Sequence, residues 1–441
     1  MLRILKSIFV SLMAATFMVT ACEKPAPVDS NDNSGPGSTG SDTQTPGDSG
    51  ELFDDVPTTP WPAPYSLKGL TVDNQFPIIG WTGINPGDAT TAFPKMKDCG
   101  VNVYLHHDYD NAQVALQQLN VAQQSGIKLI CSTKDLFTNT QSVVNQLKDS
   151  PALFGYHIED EPEINELEGL SRHVNNIEAV DQNHFCYINV YPNWAWCASN
   201  IDDYMNRLTT YTETINKLKF ISFDQYPIYE DNTGLHLREY WYKNLEDIRR
   251  MARIRKLPFW AFALTLAHSI SDPHLGTAVY PTPDLAQLRL QQFSNLAYGA
   301  QAFQYFTVQG IYKSSPTQVY APVKSVNADL QVLSKFFLGA DVLNVWHLGN
   351  KVPYGTTKLT TMPEGVKSIQ LQGTEGAVVS VFEKDWHTYI CIVNKDLKSP
   401  RQLDVIFTKQ VYKFNKKGFK SKVMTDSFMI DPGDIIVYQL K

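Results

Sequence analysis

Residues 155 to 162 read Gly-Tyr-His-Ile-Glu-Asp-Glu-Pro, so three consecutive acids, Glu159, Asp160 and Glu161, close an otherwise apolar run. At the end of a strand, three adjacent carboxylates repel one another and lose hydration, which raises the pKa of at least one of them. A carboxylic acid that keeps its proton near neutral pH is what protonation of a glycosidic leaving group requires. The same acids could instead bond donors on neighbouring strands, or cap the next helix, where Glu163 adds charge at the favourable end. A second carboxylate stands in Phe223-Asp-Gln-Tyr-Pro227, where Asp224 precedes Tyr226 by two residues. Asp224 could equally bond a neighbouring loop, because Pro227 ends its strand. Carboxyl groups ~5–5.5 Å apart would favour retention at the anomeric carbon, and ~6.5–9.5 Å inversion.

Other polar and aromatic groups fall at the ends of similar apolar runs. Glu159, His106, His107, Asn189 and Gln309 could contact sugar hydroxyls, and Trp194 and Trp196 could stack on sugar rings or pack within their loop. Trp81 stands at the mouth of the first run and could floor a subsite. Trp260, in the seventh run, is either a substrate contact or part of the wall. No metal is expected, since no Cys or His spacing suits zinc. No cofactor is expected either: no GxGxxG or GxxxxGK[ST] follows any strand.

The elements that must carry these residues are eight short apolar runs, at 76–81, 101–107, 127–133, 153–161, 184–191, 220–226, 258–265 and 302–307. Runs of this length and composition suit parallel strands buried on both faces. Helical periodicity separates them. Val114, Leu116, Leu119 and Val121 lie in a segment that Asp110 can cap and Gly126 can end, and Ile164, Leu167, Leu170, Val174, Ile177 and Val180 recur every three or four residues. Eight alternating units predict an α/β chain built as a (β/α)8 TIM barrel, whose ligands bind at the C-terminal strand ends. An open doubly wound sheet is the structural alternative. From residue 342 the long helices stop, and short strands at 366–371, 377–382, 389–393, 403–407 and 435–440 predict a small C-terminal antiparallel β-sandwich.

The chain has 441 residues, 43% hydrophobic and 19% charged, enough to bury a large core. With 38 Lys+Arg against 45 Asp+Glu, the net charge of −7 argues against a nucleic-acid partner. Arg3 and Lys6 precede an apolar run too short to favour a membrane span, which ends at Val19-Thr-Ala-Cys22. Residues 23–57 are dense in Ser, Gly, Asp, Pro and Thr and predict a disordered tether. The expected organisation is a signal over 1–22, a tether over 23–57, a barrel over 58–341 and the β-sandwich over 342–441. Five cysteines remain beyond Cys22, an odd number that argues against a disulfide framework.

The fourth-strand ending Asp160-Glu161-Pro162 resembles the Asn-Glu-Pro ending of the large clan of (β/α)8 glycoside hydrolases. Residues 288–307, LRLQQFSNLAYGAQAFQYFT, are similar to that clan's eighth unit, and 389–394 with Pro432-Gly433-Asp434 resemble its accessory β-domains. The likeness spans about residues 70–441. It implies a glycosidase with Glu161 as general acid/base. The clan's retaining members place a nucleophilic Glu at the end of strand seven, but 259–265 carries no acid here, and Asp160 replaces the clan's Asn. Three alternatives remain open. Asp224 could supply the second carboxylate. Asp160-Glu161 also resembles the Asp-Glu pair of β-N-acetylhexosaminidases, in which Asp160 would orient the substrate's acetamido group and Tyr226 would bond the intermediate. The chain could instead be a non-catalytic glycan-binding protein on a degenerate barrel. Residues 19–22 resemble a lipobox with Cys22 as the lipidated residue, and with the tether they look like surface glycan-degrading lipoproteins of Bacteroidetes. That likeness implies an outer-membrane or cell-surface location, membrane contact through the lipid alone, a glycan substrate, and other surface glycan-uptake proteins as partners.

Overall fold

The computed structural model describes residues 51–52, 61–197, 200–270, 275 and 277–440. The expected signal, the lipobox Cys22 and nearly all of the tether lie outside the described residues.

Eight parallel strands close into a barrel: β1 Ile78–Trp81, β2 Val103–Tyr109, β3 Lys128–Thr133, β4 Leu153–Asp160, β5 Phe185–Val190, β6 Ile221–Phe223, β7 Phe259–Leu264 and β8 Ala302–Phe306. The last strand pairs back onto the first, Phe303 beside Ile78 and Phe306 beside Trp81. Helices follow the strands as α1 Ala89–Asp98, α2 Ala112–Gln124, α3 Thr140–Leu147, α4 Leu167–Glu178, α5 Tyr204–Thr214, α6 Trp241–Arg255, α7 Leu285–Tyr298 and α8 Tyr320–Phe337. Apolar residues of the strands serve two layers. Ile79, Val103, Leu105, Ile130, Phe154, Phe185 and Trp260 fill the barrel interior, while Tyr104, Leu129, Tyr156 and Ile188 pack outward against the helices. The cap of α2 is Asn111, whose side chain accepts from Val114 N–H, one residue beyond the expected Asp110. Gly126, with φ +66°, supplies the left-handed turn that releases the chain into β3.

β4 carries two bulges. Phe154 is the extra residue against β3, and Ile158 the extra residue against β5. Each bulge shifts the inward–outward alternation by one position, so the faces of β4 cannot be read by counting in twos. Beyond β6, strands Ile228–Asp231 and Gly234–Leu237 form a hairpin, and with Val279–Tyr280 and His268–Ser269 they make a small antiparallel ladder at the barrel mouth.

The C-terminal part is a connected antiparallel sheet of β9 Asp341–Leu348, β10 Val366–Leu371, β11 Ala377–Lys384, β12 His387–Asn394, β13 Arg401–Phe414, β14 Phe419–Ile430 and β15 Ile435–Gln439. β13 slips register between Ile406 and Val411. Its first half pairs with β10 and its second with β15, so that one long strand serves both layers of a sandwich. Ile369, Val379, Ile390, Ile392, Leu403, Val405 and Tyr438 lie between the layers. The other face meets the barrel helices, where Phe337 stacks on Phe382 at 4.1 Å and Phe336 tilts onto Phe414 at 4.5 Å. Helix α7 is buried at every position from Gln287 to Tyr298 except Arg289, because barrel and sheet enclose it together. Glu51 and Leu52, inside the segment expected as tether, pair with Lys420 and Phe419 at the β14 edge. Main-chain pairing at a sheet edge needs no core of its own. Cys99, Cys131, Cys186, Cys197 and Cys391 are all free and buried.

Candidate active site

The bulges of β4 separate the three acids at its end. Glu159 takes the register position beside Ile188, whose side chain packs in the outer layer, and its carboxylate accepts from the Asp160 N–H. Asp160 lies beside Asn189 and faces the mouth. Glu161 follows with φ +52°, a left-handed backbone that costs a non-glycine residue of order 1 kcal/mol and persists only where its surroundings enforce it. Two contacts do so. The Glu161 N–H donates to the Asn189 carbonyl at 2.8 Å, and the carbonyl of the following Pro162 accepts from Trp196 Nε1 at 3.1 Å.

Asp160 and Asp224 meet on one amide. Asn189 Nδ2 donates to Asp224 Oδ1 at 2.8 Å and to Asp160 Oδ1 at 3.2 Å. Those two carboxylate oxygens are therefore no more than about 6 Å apart. The amide is held by a directed relay from inside the barrel: Gln304 Nε2 donates to Ser222 Oγ at 2.9 Å, and Ser222 Oγ donates to Asn189 Oδ1 at 2.8 Å. The Tyr187 hydroxyl braces the lower end by donating to Gln304 Oε1 at 2.8 Å. Every proton in this relay points toward the carboxylates, so the layer below the mouth is organised around negative charge.

Asp224 is an acid of the mouth whose pKa is raised. Burial pushes its carboxyl up to about 6, against the pull of the Asn189 amide and the Tyr226 hydroxyl, which both favour the anion. An unfolded aspartate has already lost its proton between about pH 4 and pH 6, while folded Asp224 still holds it. Raising the pH through that window therefore costs stability, at most roughly 3 kcal/mol. Asp224→Asn is expected to melt above the wild type at pH 7 and level with it at pH 4. Thermal melts at the two pH values check this, and a lower melting temperature at pH 7 would contradict it.

The remaining expected site residues divide. Tyr226 is 8% exposed beside Asp224, walled by Tyr280 at 5.5 Å and Phe306 at 5.6 Å between ring centres. Trp194 is half-buried on the short helix Asn193–Trp196, with the Arg238 guanidinium 5.3 Å from its ring centre. Trp81 closes the interior below the mouth, 4% exposed and edge-on to His157. Gln309 spans to the β1 side, its Nε2 donating to the Gly83 carbonyl at 3.3 Å. His107 faces the interior, its ring 5.9 Å from that of His157.

Four expectations are corrected. Glu159, expected as a substrate contact, takes an outward register position because of the bulge at Ile158. Trp260 is fully buried and stacked on Phe220 at 3.6 Å, deep in the barrel, because it is the second residue of β7 rather than the last. Trp196 is 4% exposed among Tyr191, Tyr204 and Tyr211, and anchors the Pro162 carbonyl instead of presenting a platform. His106 lies on the outer face of β2, stacked on Tyr109 at 4.1 Å and within 3.4 Å of the Tyr104 hydroxyl, because alternation sends it opposite to His107. His157, Tyr187, Ser222 and Gln304 had not been expected in the site. They lie inside apolar runs, and a lone polar residue in such a run was the one available signal. Among the described residues no group of three or more His, Cys, Asp or Glu could hold a metal ion.

No family model and no curated protein sequence matches the chain. Among solved structures, a β-glucuronidase from Ruminococcus gnavus is similar with a TM-score of 0.40 and 12% identity, covering 57% of this chain and 50% of that one. The same enzyme in complex with D-glucuronic acid gives 0.39 and 14%, covering 58% and 47%. An endo-1,4-β-mannanase from Eisenia fetida gives 0.38 and 10%, covering 56% and 83%. The chain thus spans about half the length of the glucuronidase chains.

Proposed function

We propose that the chain is a glycoside hydrolase whose general acid/base is Glu161 and whose second carboxylate is Asp224. The observation that carries this reading is the shared Asn189 amide, which gathers Asp160 and Asp224 at the mouth of a closed barrel directly beside the constrained Glu161. In the reaction, Glu161 gives its proton to the glycosidic oxygen as the bond to the anomeric carbon breaks. Asp224, once ionised, stabilises the positive charge that develops on the sugar ring, and a water molecule supplies the new hydroxyl, passing its other proton to one of the two carboxylates. Asp160, fixed by the same amide, keeps negative charge facing that centre. Trp194, half-buried at the mouth, supplies an aromatic surface for the glycan, and Trp81 floors the site from below. Export, lipid attachment at Cys22, a cell-surface location and work beside other glycan-uptake proteins belong to the same proposal, supported by the residue pattern of the first 57 positions.

A purely glycan-binding role is the second reading. It is favoured by Thr265 at the end of β7, which is fully buried and donates its hydroxyl to the Thr307 carbonyl, where an acid would be needed for an ordinary two-glutamate mechanism. Incubating the purified protein with neutral and acidic oligosaccharides, with products read by mass spectrometry and anomeric proton NMR, separates the two. Released sugar supports the hydrolase, and the first-formed anomer reports retention or inversion. Binding without release from any substrate supports the second reading instead.

A further inference from the structure

His157 occupies a position that folding alone would give to a phenylalanine or leucine. It is 6% exposed, inside the barrel, and its Nε2 has no hydrogen-bond partner among the described residues. Its ring neighbours are Trp81 at 5.7 Å, Tyr187 at 5.7 Å and His107 at 5.9 Å, all aromatic. His107 is less deeply placed, partly buried with its Nε2 3.9 Å from the Asp108 carboxylate, but its Nδ1 is likewise buried without a hydrogen-bond partner among the described residues. A buried polar nitrogen without a partner costs about 1–3 kcal/mol, so two of them side by side are expensive in a core and call for a ligand.

Their place in the barrel says which ligand. The register puts His157 beside Tyr187 and Asp160 beside Asn189, so the imidazole pair lies one residue layer below the carboxylates, on the same strand and under the same mouth. Trp81 closes the space beneath. Burial holds both imidazoles below their usual pKa, and each like-charged neighbour adds to this for His157, against which only Asp108 pulls His107 back up. A neutral imidazole carries one N–H and one lone pair, the pairing that a hydroxyl group matches. Two histidines without a third ligand do not make a zinc site.

We infer that His157, together with His107, is the substrate-binding pair that grips the hydroxyl groups of the sugar ring seated against the carboxylates. This rests on the reading of the barrel mouth as a glycan site, and it adds a residue and a role to that reading.

The test pairs His157→Phe with His157→Asn. Phenylalanine keeps the ring packing on Trp81 and Tyr187 but offers no nitrogen, whereas asparagine keeps a donor and an acceptor. The probes are neutral oligosaccharides of glucose, mannose, galactose, xylose and N-acetylglucosamine. Turnover is measured on the full chain, and affinity by calorimetry in a Glu161→Gln background. H157F is expected to lose about tenfold or more in kcat/KM, mainly through KM, and a similar factor in affinity, while melting at or above the wild-type temperature. H157N is expected to recover part of the affinity. Wild-type KM and affinity in H157F would overturn the inference, as would a lowered melting temperature with unchanged affinity, the mark of a packing role. Should H157F not fold, unchanged affinity in H157N together with His107→Phe would overturn it equally. Binding without hydrolysis would defeat the proposed enzyme and leave the affinity comparison to decide the pair. Absence of binding to all five sugars would overturn the inference, while the hydrolase reading would still be decided by the acidic oligosaccharides.

Discussion

Glu161→Gln is expected to lower kcat by about a thousandfold on natural glycans while leaving the fold intact. The substitution is nearly isosteric, so the left-handed backbone at this position, held by the Asn189 carbonyl on one side and the Trp196 indole beyond Pro162 on the other, loses no support. What it removes is the transferable proton. A substrate whose leaving group is a stable phenolate needs less protonation and should lose markedly less, so the gap between aryl and natural glycosides should widen in the variant. Steady-state kinetics on both substrate types, with melting temperatures alongside, would check it. Wild-type turnover on a natural glycan would remove Glu161 from the mechanism, and equal losses on both substrates would make its role other than acid catalysis.

Asn189→Ala should have the second-largest effect, and its signature lies in pH dependence. The amide gives a hydrogen to each of two carboxylates no more than about 6 Å apart, and it is itself oriented by Ser222. Without it, Asp224 loses a donor that favoured the anion and keeps the burial that opposes it, so its pKa climbs above about 6. If catalysis needs ionised Asp224, the acidic limb of the kcat/KM profile moves to higher pH by about one unit. The loss is then larger at pH 6 than at pH 8, with at least a hundredfold drop at the lower value. Leaving the Ser222 hydroxyl without its acceptor should also cost about 1–3 kcal/mol of stability. A profile that falls uniformly at all pH values would show that Asn189 acts on geometry alone.

The eight barrel strands were legible because each is a short, mostly apolar run, and a strand buried on both faces needs that composition. β6 is shorter than its run, Ile221–Phe223 only, because the chain turns toward the mouth before Pro227. Strand β14, reading FKSKVMTDSFMI, was missed. Half of its positions are exposed, and it is held by pairing along β13 rather than by apolar content. β9 was missed as well, its run directly following the α8 helix. The acids at the mouth were legible as a cluster, but not how they divide. That Glu159 turns outward while Asp160 turns inward follows from the bulge at Ile158, and no residue type announces a bulge there. The same bulges hid His157. In the relay beneath the carboxylates, Ser222 and Gln304 come from strands 82 residues apart in sequence and are joined only by closure of the barrel.

Helix α7 has two masters. Gln291 accepts from the Leu264 N–H at the end of β7, and Asn295 donates to the Phe262 carbonyl, so its polar groups lock onto the barrel, while other residues of the same helix lie against the C-terminal sheet. A helix buried nearly all round has no solvent face to fall back on. Cutting the chain near residue 341 would therefore not release a self-sufficient barrel. It would leave a hydrophobic helix open to water beside the seventh and eighth strands, and the cut protein would stick to itself. The two parts thus depend on one another through this helix, and replacing either requires carrying α7 along with its matching sheet.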